Sequence, residues 1–214
     1  MLIFQRNISS SFRRGIHMNE KIDELLARLG KLEDEFEREF EAGRANFNYG
    51  ISQGRVVFEQ GITAEHRRLK VGLIRFLKNS PIGTLVIAPF VYGLILPLLF
   101  LDASIWLYQK VCFSIWGLVA VRRSDYVVID RHHLAYLNSI QKLNCDYCSY
   151  ANGLIAYVRE VAARTEQFWC PIKHAVRTKG AHGRYAQFID YGDAEGFKDR
   201  LEELRKEISR SDVP

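Results

Sequence analysis

The chain has 214 residues, 48% of them hydrophobic, and a net charge of +5. That length holds one medium domain or two small ones, and four cysteines are too few to staple a secreted scaffold of this size, so their thiols are expected reduced or metal-bound in a cytosolic compartment. No phosphate loop, dinucleotide fingerprint, nucleophile elbow or paired zinc-protease motif occurs, which removes the enzyme classes those motifs announce.

Residues 1–17 are basic and serine-containing and lack an apolar core, so they read as an extension without structure rather than a secretory signal. Met18 opens a cleaner helical segment and is an alternative start. From Asn19 to about Phe47 the apolar residues Ile22, Leu25, Leu29, Leu32, Phe36 and Phe40 recur at spacings of three and four. This predicts an amphipathic helix that packs on its own domain, with a short coiled-coil homodimer as the alternative. Phe47 to Ile62 is punctuated by Gly50, Gly54 and Gly61, with a short strand expected at Arg55–Phe58. Thr63 to Lys78 returns to helix, carrying Arg67, Arg68, Lys70, Arg75 and Lys78 opposite an apolar side. A basic run abutting an apolar one points to a cytoplasmic membrane flank rather than to nucleic acid. Residues 18–78 are thus read as a helical arm.

Asn79 to Val121 contains only two charges, Asp102 and Lys110. Asn79–Leu101 is a run of 23 uncharged residues, about 34 Å as helix, enough for a bilayer core of roughly 30 Å. Ala103–Val121 is shorter, and Lys110 is expected to snorkel back toward Asp102. Basic residues stand at both ends, so the positive-inside rule favours two spans folded as a hairpin over residues 79–121, both ends in the cytoplasm of a bacterial inner membrane. A single span, a re-entrant second segment, and a buried hairpin in a soluble all-α domain are the other readings.

Residues 122–214 are expected to form a small α+β module. Tyr126–Ile129 and Tyr185–Asp190 read as strands. His133–Leu143, Ser149–Phe168 and Asp193–Ile208 read as helices, the last burying Phe197, Leu201, Leu204 and Ile208. Within this module Cys145 and Cys148, then Cys170 and His174, are spaced as Cys-x2-Cys and Cys-x3-His. Two close pairs of soft ligands separated by a helix-length segment suit one four-coordinate ion. One helical turn begun at Pro171 would put Cys170 and His174 on one face. Zinc in a closed structural site is favoured, and an iron–sulfur cluster is the alternative. A Cys-x2-Cys at a helix N-terminus would also suit dithiol redox chemistry. His132 and His133 read as a solvent-exposed pair, with either as the alternative replacement ligand, and Phe168, Trp169, Tyr147 and Tyr150 read equally as a shield for the site or as an ordinary small core. His182 reads as surface and Cys112 as a small hydrophobe.

The run from Asp130 to Ala175 (DRHHLAYLNSIQKLNCDYCSYANGLIAYVREVAARTEQFWCPIKHA) and the later Tyr185–Gly196 (YAQFIDYGDAEG) resemble a group of uncharacterised bacterial membrane-associated proteins. The resemblance covers roughly Met18 to Ile208 and implies a cytosolic Cys/His module beside a membrane segment. It implies no activity. The expected fold is mainly α, with a membrane hairpin between a helical arm and an α+β module. The expected function is membrane-anchored metal binding by an interaction module, with a redox protein as the alternative, and with membrane lipid and a membrane protein as partners.

Overall fold

The computed structural model describes residues 24–25, 27–43, 49–52, 55–58, 62–176 and 178–210. The extension at residues 1–17 and both expected ends of the first helix lie outside them. The described chain is mainly helical and divides into two units, Met1–Glu65 and His66–Pro214.

In the first unit, residues 27–43 form helix α1. Leu29, Leu32, Phe36 and Phe40 are all more than half exposed, and the Phe36 and Phe40 rings stack one turn apart at 6.2 Å. The expected strand at Arg55–Phe58 is present as β2, paired antiparallel with β1 (Tyr49–Ser52) in the register Tyr49↔Phe58 to Ser52↔Arg55. The glycine-punctuated segment had concealed β1.

The helix expected over Thr63–Lys78 is interrupted at Leu69–Gly72, giving α2 (Ile62–Arg68), which runs through the boundary between the units, and α3 (Leu73–Lys78) in the second unit. Pro81 then caps a single helix from Ile82 to Trp116, 35 residues and about 52 Å long. It comprises α4 (Ile82–Gly93), α5 (Ile95–Tyr108), a π-turn at Gln109–Phe113 and a last turn, α6 (Ser114–Trp116). The expected hairpin over 79–121 is therefore not formed. The chain runs through Asp102 without turning, because the carboxylate there is held from outside the helix. Reversal comes only at Gly117, whose φ of 68° is the left-handed conformation that terminates helices and suits glycine.

Residues 118–138 return along the helix as an extended strap with short 3-10 turns at Arg123–Asp125 and Arg131–His133. No strand forms at Tyr126–Ile129. Instead Tyr126 and Val127 lie directly on Gly153, where a Cβ would meet the Tyr126 carbonyl oxygen at 2.5 Å.

The helices expected at His133–Leu143 and Ser149–Phe168 are one helix, α7 (Ser139–Trp169). Its start is set by a capping box: the Asn138 side chain accepts from the Gln141 backbone N–H at 3.0 Å, and the Gln141 side chain accepts from the Asn138 N–H at 3.0 Å. Beyond it, the expected strand at Tyr185–Asp190 is a 3-10 turn (Gly183–Gln187) with one bridge, Ile172↔Ile189. The C-terminal region is accordingly not the α+β module expected. The last helix forms where expected, α8 (Ala194–Arg210), with Leu204 and Ile208 buried but Phe197 and Leu201 only partly covered. The core gathers Phe113, Leu118, Val121, Tyr150, Leu154, Tyr157, Val161 and Ile208. It lies between the far end of the apolar helix, its strap, α7 and α8.

Candidate functional site

The two cysteine pairs stand at opposite ends of α7. Cys145 and Cys148 lie inside the helix, in its second and third turns, so they are not at its N-terminus and the expected dipole-activated turn is absent. Cys170 is the C-cap. Cys170 lies 22 positions after Cys148 along the helix, about 33 Å at 1.5 Å per residue. Zinc–thiolate bonds are about 2.3 Å long, so one ion cannot be shared by Cys145, Cys148 and Cys170 of the same chain.

Cys170 and His174 are not on one helical face either. Pro171 starts no helix; this segment is extended, with the Lys173 N–H donating to the Ile189 carbonyl at 2.7 Å and the His174 N–H donating to the Tyr185 hydroxyl at 2.6 Å. Among the described residues no group of three or more His, Cys, Asp or Glu side chains is placed to hold an ion. All four cysteines, Cys112 included, are free thiols. The proposed shielding aromatics do not converge: Phe168 and Trp169 pack on Trp116, whereas Tyr147 packs on Tyr92 and Tyr150 reaches Asp102.

What the fold does assemble is a polar seam joining the apolar helix to its strap and α7. Arg123 clamps Asp102 through Nε at 3.0 Å and a terminal nitrogen at 2.7 Å, and the Tyr150 hydroxyl donates to the same carboxylate at 3.0 Å. The Asp102 side chain is only 16% exposed. The bond to Asp102 raises the Arg123 pKa, and burial followed by the Asp102 bond raises that of the Tyr150 phenol. Lys110 does not turn back to Asp102 as expected; it stands over the Trp106 ring, 5.4 Å from its centroid.

Farther along, the buried Gln109 amide donates to the Tyr157 hydroxyl and accepts from the Val121 N–H at 2.7 Å. Tyr108 and Thr165 hydroxyls bond at 2.9 Å. Charged groups on α7 form a second cluster. Glu160 accepts from Arg164 at 3.0 Å and Arg184 at 2.8 Å, while Glu166 pairs with His182 at 3.0 Å. His182, expected at the surface, has a side chain only 13% exposed. Its Gly-rich setting gave no sign of this, since its partner lies 16 residues away. His132 and His133 adjoin one another in the strap, with His132 Nδ1 3.6 Å from the Asp146 carboxylate.

The seam leaves the opposite side of the apolar helix bare. Ile95, Leu98, Asp102, Ile105, Gln109 and Phe113 face inward or are partly covered, at spacings of three and four. About half a turn round, Ile82, Phe90, Leu96, Phe100 and Ile115 are each more than two-thirds exposed. The hydroxyls of Ser104 and Ser114 do not interrupt this face chemically, because each donates to the carbonyl four residues earlier at 2.7 Å.

Comparison with known proteins finds no matching family model, no similar curated protein and no similar solved structure. The assignment of a site therefore rests on this geometry. Its dominant feature is the outer apolar face of the Ile82–Trp116 helix, a helix long and apolar enough to cross a membrane.

Proposed function

We propose that this protein is a membrane-attached interaction module, held to lipid by the Ile82–Trp116 helix and presenting its α7–α8 core to water. The observation that carries this reading is the contrast across that helix. One face is locked to α7 and the strap by the Asp102–Arg123–Tyr150 seam; the other exposes large apolar side chains along its whole length. Contiguous exposed apolar surface on this scale marks a membrane or protein contact. The basic residues of α2 and α3 favour an anionic, cytoplasmic leaflet. The module's partner at the membrane is proposed to be another protein recruited to its water-facing side.

Cell fractionation tests the attachment. The protein should sediment with membranes, resist extraction by high salt, and enter solution only with detergent. Recovery of a monodisperse monomer from the soluble fraction would overturn it.

A further inference from the structure

We infer that the apolar helix lies in the plane of the bilayer surface, inserted from one side, rather than crossing it. This rests on the membrane attachment proposed above and specifies its geometry. The length of the helix suggests a span; its neighbours forbid one.

The apolar helix and α7 run in the same direction, side by side. The Tyr147 hydroxyl donates to the Val91 carbonyl at 2.8 Å, Tyr150 reaches Asp102, Tyr157 bonds Gln109, and Thr165 bonds Tyr108. Contact therefore extends from Val91 to Gln109, about 27 Å of helix. The strap runs back beside both, placing Val127 on Gly153, His132 near Asp146 and Asn138 at the Val71 carbonyl. Any slab of bilayer about 30 Å thick that enclosed this helix would also enclose several of Lys142, Asp146, Arg159 and Glu160 of α7, with Asp130 and Arg131 of the strap. Charged side chains at the bilayer centre are strongly disfavoured. A crossing would sum several such costs.

Lying flat incurs none of them. The exposed stripe Ile82, Val86, Phe90, Phe100, Leu107 and Ile115 extends about 50 Å along the side away from α7. Laid in the interface, it sinks into the headgroup–acyl boundary while α7 and the strap stay in water. The surface charge fits lipid as the occupant. From His66 to Ser124 the only carboxylate is Asp102, already neutralised by Arg123. The same stretch exposes Arg67, Arg68, Lys70, Arg75, Lys78 and Lys110. Five of those cations stand on α2, α3 and the link between them, just before Ile82, and Lys110 stands near the other end of the helix, so both ends of the apolar stripe carry positive charge suited to anionic lipid headgroups. Trp106, 58% exposed beside Lys110, is a residue pair characteristic of the interface.

The test uses the full chain with its four cysteines replaced by alanine, single cysteines introduced by Val86→Cys, Phe100→Cys, Ile115→Cys and Arg159→Cys, and an environment-sensitive fluorophore on each. Vesicles of phosphatidylcholine and phosphatidylglycerol carry spin labels at shallow or deep acyl positions. The expected result is equal, shallow quenching at Val86, Phe100 and Ile115, with the Arg159 position quenched only by an aqueous reagent. Deep quenching at Phe100 with shallow quenching at Val86 and Ile115 is the signature of a span and would overturn the inference while leaving attachment intact. Absence of lipid quenching at every position would overturn attachment itself. Blue shift at the stripe that grows with protein concentration and ignores lipid would assign it to a second copy and overturn both. In the native chain, a Phe100→Glu, Leu107→Glu double variant should lower vesicle binding at least about tenfold with unchanged circular dichroism, since neither side chain is in the core. Unaltered binding by that folded variant would also overturn the inference.

Discussion

The two long helices of this protein invert the simplest expectation about burial. Ile82–Trp116 is the most apolar segment of the chain, yet within it only Gln109 and Phe113 are buried. Helix α7 carries charges along its length and supplies Tyr150, Leu154, Tyr157 and Val161 to the core. Composition reports what a surface would prefer to touch; periodicity decides which surface the fold can close. A helix that is apolar all round has more surface than one neighbour can cover. An amphipathic helix offers one stripe, and α5, the strap and α8 close it.

Paired truncations break this comparison most sharply. Leu154→Ala removes a side chain with 0% exposure from the meeting point of α7 with the core and should cost about 3 kcal/mol. Phe100→Ala, a larger deletion from the apolar helix, should change stability by less than about 0.5 kcal/mol, because Phe100 is 76% exposed. Chemical denaturation in matched detergent measures both, and equal losses would mean that the outer face is packed.

Gly153→Ala addresses the strap. The added Cβ would stand 2.5 Å from the Tyr126 carbonyl oxygen and 2.9 Å from the Val127 Cα, both backbone atoms that have no rotamer to yield. Alanine favours helix by about 1 kcal/mol, but lifting the strap should outweigh it and leave a net loss of about 2 kcal/mol. A stabilised variant would show that the strap is not seated on α7.

The seam comes next. Asp102→Ala leaves Tyr150 without its acceptor and Arg123 without its carboxylate. The Arg123 side chain is 44% exposed and can rehydrate, so the loss should be only about 1–2 kcal/mol. Protease cleavage after Arg122 or Arg123 should rise in parallel.

A smaller effect tests the same interface by pH. Burial raises the phenol pKa values of Tyr126, Tyr150 and Tyr157, the last two on α7. The folded state then holds these protons more tightly than the unfolded chain. Stability should be intact below about pH 10 and should fall as pH rises through the higher folded values. The midpoint of thermal unfolding between pH 8 and 11 measures it, and Tyr150→Phe should flatten the decline.

The smallest effect concerns the cysteines. Cys148→Ala and Cys170→Ala both alter exposed positions that share no ion, so each should shift stability by less than about 0.5 kcal/mol and leave metal content unchanged. Coincident loss of bound metal and of protease resistance in both variants would contradict the separation imposed by α7.

Much of the local structure was legible. The 3.6-residue period of α8 named Leu204 and Ile208 as buried, and the β-branched run at Arg55–Phe58 named a strand. The cysteine spacing misled for a definite reason. A gap of 21 residues suits two ligand pairs only if the chain turns between them, and α7 does not turn. The capping box at Asn138 and Gln141 started that helix six residues before Cys145, and no glycine in the left-handed conformation or proline interrupts it before Cys170. Asp102 misled in the same way. A charge in an apolar run looks like a turn, yet Arg123, 21 residues later, completes it and lets the helix continue.

The sequence by itself determined that there would be a long, largely apolar helical region flanked by basic residues, because hydropathy and charge are properties of single residues and their spacing. Only the tertiary structure decided which side of that helix faces α7, that Asp102 is a clamp, and that four soft ligands never meet. Each of those depends on how far and in which direction the chain travels between residues distant in sequence, and helix continuity, rather than composition, sets that distance.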